Sequence, residues 1–258
     1  MTSGRNSGYD CVMSVRLVYF LSVLFVCGCA RAPRGPESGF VPVTVDAGKY
    51  QIATLQKITD PTPDAPIHIY IEGDGRSFRP NGRPSSDPTP RGKFVRDLVA
   101  RDTSANVVYV ARPCQFIMSD ACTRHDWTDG RFSSDIIDAM TTTIKSVAGT
   151  HPIVLVGYSG GAMVSGLVIT RNPDINVTRW VTVAGVLNHN AWTSYFGDAP
   201  LTRSVDMDKL PDVPQTHYVG TRDRVVPMQL TAKIARATDI IVVQGATHSD
   251  FKNLEIKY

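Results

Sequence analysis

Hydrophobic positions along this chain fall into short continuous runs separated by polar stretches that carry glycine and proline. Runs rich in β-branched and aromatic residues predict strands over 41–45, 50–56, 67–71, 107–111, 153–157, 179–184, 216–220 and 239–243. Apolar residues at helical spacing predict helices over 92–101, 133–147, 160–172 and 228–237. The central runs, IHIYI, NVVYV, IVLVG and WVTVAG, are apolar throughout instead of alternating, as strands buried on both faces of a mostly parallel sheet require. Strand, helix, strand repetition of this kind predicts a three-layer α/β domain with helices on both faces. Two stretches, 112–132 and 186–213, lack periodicity. Both follow strands, so in a parallel sheet they overhang the edge at which ligands bind, and 186–213 is expected to be a lid-like insertion.

One apolar run stands outside this alternation: 17–26 (LVYFLSVLFV), preceded by Arg16 and followed by Cys27, Gly28 and Cys29. It is too short to span a bilayer as a helix, and its basic flank and trailing small residues read as a secretory signal. Val26-Cys27-Gly28-Cys29 resembles a bacterial lipobox, with Cys27 where the pattern carries Ala, Ser or Thr. The resemblance implies that Cys29 becomes the lipidated first residue of a chain held to the bacterial cell envelope, facing the periplasm or in the outer membrane. An ordinary secretory signal cut nearby is the alternative, and Met13 is an alternative start. Residues 31–39 (RAPRGPESG) have the composition of a tether. The expected organisation is a signal over 1–28, a tether over 29–39 and one globular domain over 40–258.

Composition narrows the class. With 42% hydrophobic and 20% charged residues, the chain is neither disordered, collagen-like nor a coiled coil. Its 27 Lys+Arg stand against 24 Asp+Glu, a surplus too small and scattered to point to a nucleic acid partner. Once the leader and Cys29 are set aside, Cys114 and Cys122 remain. An exported protein meets an oxidising compartment, so this pair is expected to close a disulfide. A metal site completed by His125 is the alternative, without zinc-finger spacing.

The sharpest chemical motif is Gly157-Tyr158-Ser159-Gly160-Gly161, placed between the strand IVLV and the helical pattern GAMVSGLVI. A serine on a tight strand-to-helix turn needs flanking glycines because the backbones come too close for side chains, and the turn lifts the hydroxyl clear of the sheet. A serine hydroxyl is a poor nucleophile until a base takes its proton, so a His oriented by a carboxylate must lie within reach. Two strands downstream run into suitable segments: 216–220 into Thr221-Arg222-Asp223-Arg224, and 239–243 into Gly245-Ala246-Thr247-His248. Asp198, Asp206, Asp208 and Asp212 compete with Asp223 but precede its strand. His125, His189 and His217 compete with His248, which is favoured by chain order and strand context together.

GYSGG, GTRDRVVP and GATHSDF, in this order, make the chain resemble the α/β-hydrolase fold family from about residue 67 to the C-terminus. The resemblance implies a three-layer α/β-hydrolase fold and a Ser159, Asp223, His248 triad. Gly160 and Asp74 are the implied backbone donors of an oxyanion hole, Asp74 lying in Glu72-Gly73-Asp74-Gly75 after the strand IHIYI. The family carries His where this chain has Glu72, and a simple turn is the alternative reading of that segment. Phe116, Trp127 and Phe132 in one irregular stretch, and Trp192, Tyr195 and Phe196 in the other, either contact substrate or pack the stretches down. Charge between Phe78 and Arg91, at Arg79, Arg83 and Arg91, is expected to be solvation. The expected function is that of an exported serine hydrolase of the esterase or lipase type. It would take a small-molecule ester, need no metal or organic cofactor, and touch the envelope membrane through its N-terminal lipid. The alternative is a non-catalytic envelope lipoprotein that keeps the fold as a binding module.

Overall fold

A computed structural model describes residues 39–252 and 254–258. The expected signal, Cys29 and nearly all of the tether lie outside the described residues. Eight strands form one sheet: β1 (Val41–Ala47), β2 (Tyr50–Ile58), β3 (Ile67–Ile71), β4 (Asn106–Val110), β5 (Ile153–Tyr158), β6 (Val177–Val183), β7 (Gln215–Gly220) and β8 (Ile240–Val243). Their order across the sheet is β1-β2-β4-β3-β5-β6-β7-β8. β2 runs antiparallel to β1 and β4, and every pairing from β4 to β8 is parallel.

The apolar strands are buried on both faces because two separate cores use their alternate residues. Ile67, Ile69, Ile71, Ile153 and Leu155 face one core with α2 (Ser134–Ala148) and α3 (Gly160–Arg171). Tyr70, Val107, Tyr109, Val154 and Val156 face the other. There α1 (Phe94–Arg101) supplies Val95, Leu98 and Val99, and the C-terminal segment adds Phe251 and Leu254. Ser133 caps α2 by accepting the Ile136 N–H, as its place before an apolar helical pattern predicts.

All eight strands lie within two residues of their expected positions. The expected helix over 228–237 shrinks to α5 (Met228–Ala232), because Arg236 turns extended and residues Ala237–Asp239 form a 3-10 turn into β8. The irregular stretch 186–213 holds a helix of its own, α4 (His189–Phe196), capped by the Asn188 side chain and ended by left-handed Gly197. The Cys114–Cys122 disulfide is present, which removes both thiols from the alternative metal site.

Candidate active site

Ser159 sits between β5 and α3 with φ 52° and ψ −124°, a conformation that L residues other than glycine rarely adopt. The surrounding glycines make this turn possible. A Cβ on Gly157 would lie 2.5 Å from the Ala162 Cα, and one on Gly161 would lie 2.5 Å from the Ile71 carbonyl oxygen. The sheet places two more segments at the same edge. His248, after β8, approaches the Ser159 Oγ through Nε2 at 3.1 Å. Its Nδ1 lies 2.9 Å from the Asp223 Oδ2, in the loop after β7. The other Asp223 oxygen accepts the Val225 and Val226 N–H groups at 2.8 Å each, which fixes the carboxylate in a fully covered position. Because a carboxylate only accepts, the tautomer with its proton on Nδ1 satisfies both contacts and leaves Nε2 to accept from the serine. The three residues singled out from the sequence are thus one hydrogen-bonded chain.

The competing residues lie elsewhere. His217 is buried in β7 between Thr182 and Gln215, and burial pushes its pKa down to about 4. His125 pairs with Asp129 at the surface. His189 is buried and stacks on Phe132. Asp206 accepts the first N–H groups of α4, a structural cap.

The segment after β3 lies against the serine turn. Asp74 packs over Gly160 so closely that a Cβ there would be 1.9 Å from the Asp74 Oδ1. Among the described residues, no protein acceptor takes the backbone N–H of Gly160 or of Asp74. Glu72, in the position where the family pattern has His, is buried; its carboxylate accepts the Gly73 N–H at 2.9 Å and the Tyr109 hydroxyl at 3.0 Å. Burial pushes this carboxyl up to about 7, against the opposing pull of the Gly73 N–H, Tyr109, Arg96 and Arg112. The carbonyl of Gly73 is held from the other side by the Gln115 side chain at 2.9 Å. Gln115 follows Cys114, so the disulfide-closed segment supports this loop.

Two buried arginines complete the site, and nothing in the sequence marked them. Arg112 Nη1 donates to the Asp74 Oδ1 at 3.3 Å, and Arg131 Nε lies 3.4 Å from Oδ2. Both lie against a carboxylate that, left unpaired, would oppose negative charge beside Gly160.

An open cleft of about 560 Å³ leads to Ser159, lined among others by Phe78, Arg91, Phe94, Tyr158, Trp192 and Val225. Of the aromatics in the two irregular stretches, only Trp192 is in this lining. Phe116 packs edge-on to Tyr109, Trp127 is buried with its indole N–H on the Ser85 carbonyl, and Phe132 is in the core. Arg91, exposed to solvent, lines the cleft. Larger hollows of about 700 and 810 Å³, beside Asn172 and beside Asp102, are away from Ser159, and chemistry rather than volume singles out the cleft.

No protein-family model and no curated protein matches the chain. Solved structures do resemble it. An α/β serine hydrolase homologue from Coxiella burnetii is 18% identical at a TM-score of 0.52, covering 81% of this chain and 89% of that one. An α/β serine hydrolase without lid from Xanthomonas campestris is 14% identical at 0.52, covering 84% and 88%. The esterase domain of a Rhodothermus marinus protein is 12% identical at 0.53, covering 81% and 89%. With its antiparallel β2 and otherwise parallel sheet, its helices on both faces, and Ser159 at the turn into α3, the chain adopts the α/β-hydrolase fold.

Proposed function

We propose that this protein is an exported serine hydrolase that cleaves carboxylic esters through an acyl-enzyme. The observation that carries the reading is the Ser159, His248, Asp223 chain, with its serine on a strained turn between β5 and α3. In this mechanism the Ser159 oxygen attacks the ester carbonyl as its proton passes to His248 Nε2. Asp223, held by two backbone N–H groups, keeps the ring oriented and stabilises the imidazolium. The carbonyl oxygen becomes an oxyanion that accepts from the Gly160 and Asp74 N–H groups. Collapse breaks the bond to the alcohol oxygen, which leaves with the proton from His248. Water then attacks the acyl-enzyme, gives a proton to His248, and the acid departs as the Ser159 hydroxyl is restored.

A fluorophosphonate probe tests this reading on the whole protein. Stoichiometric labelling that maps to Ser159 is expected. An unlabelled, folded protein would instead be a binding module.

The export part of the proposal rests on residues 17–29 and is consistent with the Cys114–Cys122 disulfide, a bond that persists in oxidising compartments. Fatty-acid labelling in a bacterial host is expected for the wild type and lost in Cys29→Ser. Labelling that survives the substitution would remove Cys29 as the anchor.

A further inference from the structure

Asp74 has more positive charge around it than one carboxylate requires. Arg112 already donates to the Asp74 carboxylate, and one guanidinium is enough to neutralise it. Arg131 is a second one, 5% exposed, whose anionic partner among the described residues is the same Asp74. Glu72 is not a further anionic partner, since its carboxyl oxygens are engaged by the Gly73 N–H and the Tyr109 hydroxyl. A guanidinium kept from water beside another one is costly unless a further anion meets it.

The cage around Arg131 is built for a planar cation. Its guanidinium carbon lies 5.4 Å from the Trp192 ring, 5.8 Å from Phe132 and 6.0 Å from Phe78. Rings at these distances attract a guanidinium through their faces and suit a planar fork. Arg131, Phe78 and Trp192 all line the cleft that holds Ser159. Arg76 and Arg91 line the same cleft, so with Arg131 its guanidiniums outnumber the carboxyls of Glu72 and Asp74 in the lining.

We infer that the ester cleaved at Ser159 carries a carboxylate, and that Arg131 binds this group and selects for it. A carboxylate matches the fork in shape, and its single charge matches the single surplus guanidinium better than a phosphate dianion would. The inference rests on the ester-hydrolase reading above and adds the substrate class to it.

Two ester pairs of matched length test it. In 4-nitrophenyl hexanoate against mono-4-nitrophenyl adipate the carboxylate ends the acyl chain; in phenyl butyrate against 3-carboxyphenyl butyrate it sits on the alcohol side. In at least one pair the anionic ester is expected to have the higher kcat/KM by roughly tenfold or more at low salt. That preference should fall about tenfold in Arg131→Gln and shrink as salt is raised. If Arg131→Gln does not fold, Arg131→Lys, which keeps the charge and loses the fork, should lower the preference by roughly threefold. Ratios near unity in both pairs, or ratios unchanged by the Arg131 substitutions, overturn the inference and leave the ester-hydrolase reading intact. If none of the four esters is cleaved, calorimetry tests whether Arg131 binds a carboxylate in the cleft. Ser159→Ala should bind monomethyl adipate about tenfold more tightly than the Ser159→Ala, Arg131→Gln double variant, and equal affinities would overturn it.

Discussion

Ser159→Ala is expected to lower kcat for a 4-nitrophenyl ester by ~10⁴-fold or more and to leave thermal unfolding nearly unchanged. The substitution removes the attacking oxygen and its contact with His248. It keeps the Cβ, so alanine meets the same strain at φ 52° that serine already carries. His248→Ala should lose a comparable factor, because the hydroxyl proton then has no acceptor. Asp223→Asn should cost ~10⁴-fold as well, since the amide can turn a donor toward Nδ1 and force the wrong tautomer. Groups that act as one unit do not add, so the Ser159, His248 double variant should be no slower than either single one. His125→Ala, whose partner is the surface residue Asp129, should keep wild-type kinetics. Steady-state rates read all of these, and substantial activity in Ser159→Ala would assign the nucleophile elsewhere.

Glu72→Gln is expected to flatten the pH dependence of stability. The folded protein holds the Glu72 proton up to about pH 7, whereas the unfolded carboxyl releases it at its ordinary value of 4.5. The folded state therefore binds more protons across this window, and stability falls as pH rises through it. The contribution is complete below pH 4.5 and is lost by passage through about pH 7, an effect of about 3 kcal/mol for a group this deeply buried. Glutamine can still accept the Gly73 N–H and can donate to the Tyr109 oxygen, so the loop keeps its shape. Urea unfolding of both proteins between pH 4 and 8 should give curves that diverge as pH rises, with the variant the more stable. Parallel curves would mean that Glu72 ionises freely in the folded chain. A protonated Glu72 also keeps a second negative charge away from the oxyanion position, which explains how a carboxyl is tolerated there.

The elements legible in the sequence were those whose signals are local. Apolar runs such as IHIYI and IVLVG identify strands buried on two faces, and a glycine pattern around Ser159 identifies a turn that side chains would obstruct. Asp223 and His248 were legible because each lies a few residues beyond a strand, and parallel strands deliver such residues to one edge. The length of α5 was not legible, because the residues beyond Ala232 keep an apolar spacing while the chain turns extended at Arg236 to enter β8.

Apolar runs and motif spacing carry the strands, the serine turn and the order in which Asp223 and His248 follow it. Which charges meet emerges in the folded chain alone. Asp74, Arg112 and Arg131 are far apart in the chain and carry no shared motif, yet folding sets both guanidiniums on one carboxylate. It also sends Trp127 and Phe116 into packing while Phe78 and Trp192 reach the cleft. Periodicity records which face of a strand or helix is buried. Ion pairs and cleft walls form between loops, where no period constrains the residue, so their partners emerge only when the loops are brought together in space.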